Sequence, residues 1–184
     1  MNRLKQKYNE IIVPKMIAEF KYANVMDVPR IQKIVVNAGI GPFRESREAV
    51  ESFVADLTAL VGQKPSPRSA RLSIASFKIR QNDVVGYTAT LRGERMWAFL
   101  DKFVNIALPR VRDFRGLSKD AFDNNGNYSV GIREHVIFPE VNQNNTKGVR
   151  GLQLTIVISK KDVEANRFLI KELGIPFVKE EKRK

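Results

Sequence analysis

The sequence predicts an α+β fold, a two-layer sandwich in which helices pack on one face of a mainly antiparallel sheet and a long basic loop extends from it. Three observations predict this class: helical spacing of apolar residues alternates along the chain with strand-like alternation, the strands keep one polar face, and a cation-rich segment interrupts the pattern. A chain of 184 residues with 43% hydrophobic content can bury a substantial core. We therefore expect a single domain over residues 1–184.

The N-terminal part of the chain predicts a broken helix followed by a strand. Apolar residues recur at helical spacing over residues 2–22, and we expect Pro14 to begin a second helical piece because proline is tolerated in a first turn. Residues 30–37 alternate as a strand does, with Ile34 and Val36 directed inward and Asn37 outward. A glycine-rich turn follows at residues 39–42.

Two amphipathic helices are predicted in the middle of the chain. Ser46 can cap a helix that runs to Val61, and Gly62 is a suitable residue to end it. The second helix covers Gly93–Leu108 and is closed by Pro109. Its predicted buried stripe consists of Met96, Trp97, Leu100, Phe103, Val104 and Ala107.

The segment Gly62–Asn82 carries five cations and no acid: Lys64, Arg68, Arg71, Lys78 and Arg80. Its periodicity fits neither a helix nor a strand, so we expect a long, exposed, positively charged loop whose extended part is residues 66–83. Long loops within a compact domain usually have a function, although a solvated, disordered loop would have the same composition.

The residues that follow, Val84–Arg92, alternate as a half-buried strand. Val85, Tyr87, Ala89 and Leu91 are expected to point inward, and Thr88, Thr90 and Arg92 outward. An ordinary solvated sheet face would explain this pattern alone. Because the strand adjoins the basic loop, we interpret its polar face as part of a surface that binds a polyanion.

The C-terminal part begins with the least regular region, residues 110–150. Within it, Asn125–Gly126 is a turn signal that introduces a short strand over Tyr128–Ile132. The chain then predicts a strand, a helix and a frayed charged tail, at Leu152–Ser159, Asp162–Leu173 and residues 177–184.

The charge of the chain points to an anionic partner. Its formal net charge is +12, and residues 61–120 contribute +7 of this through 12 basic and 5 acidic side chains. Such a balance indicates nucleic acid first and an anionic membrane second. A peripheral membrane protein would need a basic amphipathic helix, whereas these cations concentrate in a loop. With neither a membrane-spanning apolar run nor a secretory signal, we expect a cytoplasmic protein that binds no membrane.

The residue types needed for catalysis are scarce. The chain has no cysteine and one histidine, His135, which cannot form the common zinc sites and is expected to be structural or solvated. The run Ile34–Gly41 partly matches a dinucleotide fingerprint but fails at Arg44, where the third glycine should stand. We expect no enzyme, no metal, no cofactor and no small-molecule substrate; a nucleotide-dependent RNA-processing enzyme is the alternative.

Several motifs give a more specific indication. Ser76–Gln81 (SFKIRQ), Thr90–Trp97 (TLRGERMW) and Pro109–Leu117 (PRVRDFRGL) closely resemble the bacterial-type ribosomal protein five of the large subunit, a family that binds 5S rRNA. Further matches are Ile34–Gly39 (IVVNAG), Gly62–Pro65 (GQKP), Gly126–Ser129 (GNYS) and Ile137–Glu140 (IFPE). The likeness runs in order along nearly the whole chain.

The resemblance implies a non-enzymatic α+β protein that attaches 5S rRNA in the central protuberance, beside other 5S-rRNA-binding proteins of the large subunit. By resemblance, five residues would contact rRNA: Asn37, Gln63, Lys64, Thr90 and Arg92. Four would face P-site tRNA from the loop tip: Phe77, Lys78, Arg80 and Gln81. The irregular part from Arg110 to about Asn145 would form a bridge to a small-subunit head protein.

One stretch departs from the family. After Gly62–Pro65 the family usually continues with two apolar residues, threonine and lysine, whereas this chain has Ser66-Pro67-Arg68-Ser69. Because proline cannot donate to a sheet ladder, we expect the short strand there to be lost or confined to an edge. Ser69 lacks the family's cation, for which Arg68 is the candidate substitute, and Leu72 stands where a basic residue is common.

Overall fold

The computed structural model describes residues 2–141 and 148–178 of the chain. It contains a five-stranded antiparallel sheet with helices packed on it, which confirms the predicted α+β class. The strands are β1 (Ile31–Gly39), β2 (Ser66–Ser69), β3 (Val84–Leu91), β4 (Tyr128–Ile132) and β5 (Leu152–Ile158). Their order in the sheet is β2-β3-β1-β5-β4, so that β2 and β4 are the edge strands.

The helices are α1 (Arg3–Lys7), α2 (Val13–Phe20), α3 (Arg47–Val61), α4 (Gly93–Lys102) and α5 (Val163–Glu172). Their ends follow the predicted capping chemistry. The Ser46 hydroxyl accepts from the Ala49 amide at the start of α3, and Gly62 ends this helix with φ +75°. The Asp162 carboxylate likewise accepts from the first amides of α5.

Proline explains the irregular turns in the helical segments. A π-helical turn, Tyr8–Ile12, joins α1 to α2 directly before Pro14, and a second one, Phe103–Ala107, follows α4 before Pro109. Because a proline ring has no N–H and crowds the carbonyl four residues back, a wider turn relieves the clash. Pro14 lies in the first turn of α2, as expected, but the chain is helical through both prolines, and a π-helical turn takes the place of the predicted break.

The residues group into two compact units. The first comprises Met1–Ile34, Arg92–Val130 and Thr155–Lys184, and the second comprises Val35–Leu91 and Gly131–Leu154. The expected single domain over residues 1–184 therefore stays a prediction.

The first unit is held together by helix packing. α1 contacts α4, and α2 contacts α5, while the predicted apolar stripe of α4 is buried throughout its length. Phe99, which lies outside that stripe, is also buried, so α4 buries a wider face than its spacing indicated. Arg3 forms an ion pair with Asp101 at 3.0 Å on the exposed side of this packing.

The second unit places β3 beside β1 with α3 packed against β3. Val36 and Ala38 of β1 and Ala89 and Leu91 of β3 are buried, as the alternation predicted. Gly86 lets the two strands approach closely, because a Cβ atom there would lie 2.8 Å from the Ala38 carbonyl oxygen.

Tyr128, at the start of β4, is the largest fully buried side chain of the first unit. Its hydroxyl donates to the Ser118 carbonyl oxygen at 2.8 Å, which anchors the irregular segment after α4. Burial raises the pKa of Tyr128 to about 12, from 10.0, because the phenolate would lose its solvation.

This raised pKa predicts an alkaline limit to stability. The folded state holds the Tyr128 proton more tightly than the unfolded chain does. The protonated Tyr128 therefore contributes fully to the free energy of unfolding below pH 10, and this contribution is lost as the pH rises to about 12. We expect Tyr128→Phe to lower the free energy of unfolding at pH 7 by about 1 kcal/mol through the missing hydrogen bond. The variant's stability should then fall less steeply above pH 10 in urea unfolding; equal slopes for the two proteins would contradict this account.

Candidate nucleic-acid interface

The cation-rich segment is a hairpin rather than the structureless loop that its periodicity indicated. β2 pairs antiparallel with β3, with Ser66 opposite Thr88. Farther out, the Ala70 amide donates to the Asp83 carbonyl at 2.8 Å, and Ile74 and Ile79 form a further backbone pair. We call residues 66–91 the basic hairpin and residues 70–83 its tip. Residues 66–69 form a strand that the periodicity did not indicate, because backbone pairing with a distant strand leaves no period in a four-residue segment. Residues 70–83 are largely exposed and irregular, as predicted.

β2 is an edge strand, which agrees with the expectation based on Pro67. This proline lies opposite Tyr87 and has no N–H to offer to a further strand. The register shifts between Arg68 and Ser69, where the chain leaves the ladder for the tip. The proline also makes this edge a poor template for pairing with another chain.

Side chains fix the conformation of the tip. Lys78 and Asn82 have left-handed backbone conformations, with φ +52° and +72°. The Arg80 amide donates to the Asp83 carboxylate and the Gln81 amide to the Ser73 hydroxyl, each at 2.9 Å. These bonds hold a non-regular backbone in one shape.

The tip exposes both cations and apolar groups. The four residues predicted to face tRNA lie together on it, and they are Phe77, Lys78, Arg80 and Gln81. Leu72 and Ile74 are exposed as well, and the Phe77 side chain is 70% accessible. Sequence reasoning missed Ile74, although an apolar residue amid serines and cations was a visible signal.

The predicted rRNA residues of the second unit lie on or beside its strands. Asn37 on β1 and Thr90 on β3 are exposed, and Lys64 lies just before β2. Gln63 and Thr90 are in direct contact, because the Gln63 Nε2 donates to the Thr90 carbonyl oxygen at 3.0 Å. This bond fixes the Gln63 amide beside an exposed threonine.

The remaining predicted rRNA residue, Arg92, belongs to the first unit. It directly follows β3, precedes α4 and is exposed with an extended backbone. In the same unit Arg110 and Arg112 are exposed along the irregular segment after α4. The expected bridge region partly lies outside the described residues, at 142–147, and so does most of the expected charged tail, at 179–184.

Thr88 corrects the sequence-based assignment of the polar strand face. It was expected to point outward with Thr90, but it is only 8% exposed, and its hydroxyl donates to the Val36 carbonyl oxygen at 3.2 Å. Opposite residues of antiparallel strands share a face, so Ser66 of the edge strand lies beside Thr88. The alternation along β3 does not show the hydrogen bond from Thr88 to β1, so the sequence alone did not indicate this burial.

His135 has a structural role, in agreement with the sequence analysis. It is fully buried, its Nδ1 accepts from the Arg150 amide at 3.1 Å, and its Nε2 lies 3.4 Å from an Asp56 carboxylate oxygen. Its ring also packs edge-on against Phe53. A histidine enclosed in this way cannot reach a substrate.

The described residues also allow the suspected metal and nucleotide sites to be checked. Within residues 2–141 and 148–178, no group of three or more histidine, aspartate or glutamate side chains could hold a metal ion. The suspected nucleotide fingerprint leads into a 3-10 turn, Gly41–Phe43, rather than directly into a helix. None of the helices in the described part is long and apolar enough to cross a membrane.

An exposed hairpin with cations and an aromatic side chain, beside polar strand positions, is typical of a nucleic-acid-binding protein without catalytic groups. Comparisons with known proteins give the family. The family model described as ribosomal protein L5 matches residues 24–80, and the model of the C-terminus of the same ribosomal family matches residues 84–177.

Relatives of similar length match nearly end to end. The large ribosomal subunit protein uL5 of Roseiflexus sp. (strain RS-1) is 49% identical over 175 residues, which cover 95% of this chain and 97% of the relative. The uL5 proteins of Carboxydothermus hydrogenoformans and Thermoanaerobacter sp. (strain X514) are 49% and 47% identical, over 96% and 97% of this chain and 99% and 100% of their own lengths.

The chain therefore belongs to the ribosomal protein L5 family. It is a ribosomal protein of the large subunit and not an enzyme, and the ribosome gives it a cytoplasmic location. The resemblance in the motifs of the hairpin and α4 is thus confirmed at the level of the family.

The contrast between two threonines of β3 is testable. Thr88→Val should lower the free energy of unfolding by about 1 kcal/mol, because it removes a buried hydrogen bond to Val36 without changing the side-chain volume much. The matched substitution at the exposed Thr90 should leave stability within about 0.5 kcal/mol of the parent. Urea unfolding measures both, and equal decreases would show that the Thr88 hydroxyl has no special role.

Proposed function

We propose that the chain binds 5S rRNA and helps to attach it in the central protuberance of the large subunit, while the tip of the basic hairpin contacts P-site tRNA. The observation that carries this proposal is the separation of two polar groups of residues in the second unit. One group lies on β1, β3 and the segment before β2, and the other lies on the tip of the hairpin. Two surfaces of one protein can then contact two RNA molecules.

The rRNA contact is assigned to Asn37, Gln63, Lys64, Thr90 and Arg92. Asn37 and Thr90 are short side chains held on strands, which suits structured RNA, because they can donate to and accept from 2′-hydroxyl and phosphate groups with little decrease in entropy. The bond from Gln63 to the Thr90 carbonyl supports this assignment, since it orients the amide before RNA arrives. The cations add sequence-independent attraction to phosphates.

The tRNA contact is assigned to Phe77, Lys78, Arg80 and Gln81. Phe77 is accessible enough to stack on a base or pack against a ribose, a contact that tolerates different sequences. The flanking cations can neutralise phosphates on either side of it. Such a surface suits a tip that meets successive tRNAs of different sequence.

The third proposed contact is a bridge to a small-subunit head protein, made by the irregular region from Arg110 to about Asn145. Its exposed arginines in the described part could pair with acidic side chains of a partner. Other 5S-rRNA-binding proteins of the large subunit complete the proposed set of neighbours. All of these contacts position molecules and change no covalent bond.

The proposal predicts a division of labour between the two RNA contacts. Arg92→Ala should weaken binding to 5S rRNA and reduce the salt slope by about 0.7 to 0.9 log units per decade, because one phosphate is no longer neutralised. Lys78→Ala combined with Arg80→Ala should leave 5S rRNA binding nearly intact and impair steps that involve P-site tRNA. Filter binding at several salt concentrations measures the first effect, and P-site tRNA retention on reconstituted ribosomes measures the second.

Arg47→Ala is the matched control, because this exposed arginine of α3 pairs with Glu51 one helical turn away, at 2.8 Å. It lowers the net charge as Arg92→Ala does, so it should leave the 5S rRNA affinity close to that of the parent. If the double tip variant weakened 5S rRNA binding as much as Arg92→Ala, the proposed division would be wrong.

A further inference from the structure

Arg44 connects the turn after β1 to the tip of the basic hairpin. Its Nη2 donates to the Lys78 carbonyl oxygen at 2.6 Å, and its Nη1 lies 3.7 Å from the Asp83 carboxylate. The side chain is 21% exposed, which is low for an arginine in a turn. One guanidinium thus reaches both Lys78, at the apex of the tip, and Asp83, at its base. It can do so because its N–H donors point in several directions, whereas lysine has a single ammonium group.

Asp83 extends this connection into the tip. It is the one acid in the segment from Gly62 to Asp83, and its carboxylate accepts from the Arg80 amide at 2.9 Å while its backbone carbonyl accepts from Ala70. Arg44, Asp83 and Arg80 therefore form a continuous chain of polar contacts. Its members fix the backbone at Lys78 and Arg80, two of the residues assigned to tRNA.

Arg44 lies in a groove between the tip and the turn after β1. Arg44 lines two neighbouring cavities of about 370 and 470 Å³, the first bounded by Phe77 and Ile79 of the tip and the second by Asp83 and Val84. Both spaces open to solvent, so the Arg44 side chain lies along a surface groove between the tip and the turn that carries it.

We propose that Arg44 is a positioning residue, which holds the tip of the basic hairpin at a fixed orientation so that Phe77, Lys78 and Arg80 are presented together. This inference rests on the proposed tRNA contact. It assigns to Arg44 no contact with RNA, because its guanidinium is directed to Lys78 and Asp83 and its side chain is only 21% exposed. A tip without this contact would have to be ordered each time it met a tRNA. The conformational entropy lost in that ordering would weaken binding.

The test compares four variants of the full chain: Arg44→Ala, Arg44→Lys, Asp83→Ala and the control Arg47→Ala. The first readout is amide hydrogen exchange at Ile79, Arg80 and Asn82. Arg44→Ala should accelerate it about threefold to tenfold, as expected when a charge-assisted hydrogen bond is removed from a partly exposed site. Arg44→Lys should accelerate it less, and Arg47→Ala should leave it unchanged.

The second readout is crosslinking of P-site tRNA to a photoreactive group at position 72 of the tip in reconstituted ribosomes. Arg44→Ala and Asp83→Ala should both reduce it about threefold, with 5S rRNA affinity within about twofold of the parent. Asp83→Ala is decisive, because it makes the tip more positive. A purely electrostatic role for Arg44 predicts stronger crosslinking in this variant, and positioning predicts weaker crosslinking.

The outcomes separate this inference from the function on which it rests. If the Lys78→Ala and Arg80→Ala double variant leaves crosslinking unchanged, the proposed tRNA contact is wrong, whatever Arg44 does. If that variant reduces crosslinking while Arg44→Ala leaves exchange and crosslinking at parent levels, the positioning role is wrong. Reduced crosslinking in Arg44→Ala with unchanged exchange would overturn it too, because Arg44 would then contact the RNA directly.

Discussion

Backbone pairing between β2 and β3 is the interaction on which the candidate interface depends. Four residues of an edge strand, one of them a proline, convert a cation-rich segment into a hairpin with a defined tip. The pairing also encloses Thr88, while Thr90 beyond it stays exposed. Without these bonds, the cations would lie on a disordered segment that has to be ordered on each encounter with RNA.

The local chemistry of the chain made much of the fold predictable. The caps at Ser46 and Asp162, the stop at Gly62 and the strands over Tyr128–Ile132 and from Leu152 follow from residues within one turn or one strand. β2 could not be predicted in this way, because its stability comes from a partner strand farther along the chain. Thr88 was misassigned because its hydroxyl is bonded to Val36 of a neighbouring strand, a contact that the alternation along β3 does not show.

The candidate site likewise contains residues that the sequence indicated and one that it did not. The placement of Phe77, Lys78, Arg80 and Gln81 on one tip agrees with the sequence, which required only that the segment be polar and long. The role inferred for Arg44 could not have been predicted from the sequence. In the sequence Arg44 served only to reject a nucleotide fingerprint, and its bond to Lys78 spans 34 residues. Contacts of that kind leave no pattern in a single sequence.

Charge and rigidity make different contributions to the RNA recognition that we propose for this protein. A net charge of +12 attracts any polyanion, so it cannot by itself select a ribosomal RNA. Selection requires groups held at fixed separations, such as the Gln63 amide bonded to β3 and the tip joined to Arg44.

The most direct test of this account is to identify the RNA that co-purifies with the tagged full chain from cells at moderate salt. If fixed polar groups select folded RNA, 5S rRNA should be enriched well above unrelated transcripts of similar length, and the enrichment should rise as the salt concentration weakens non-specific binding. Equal recovery of 5S rRNA and unrelated transcripts at every salt concentration would contradict the central claim, because charge alone would then account for binding.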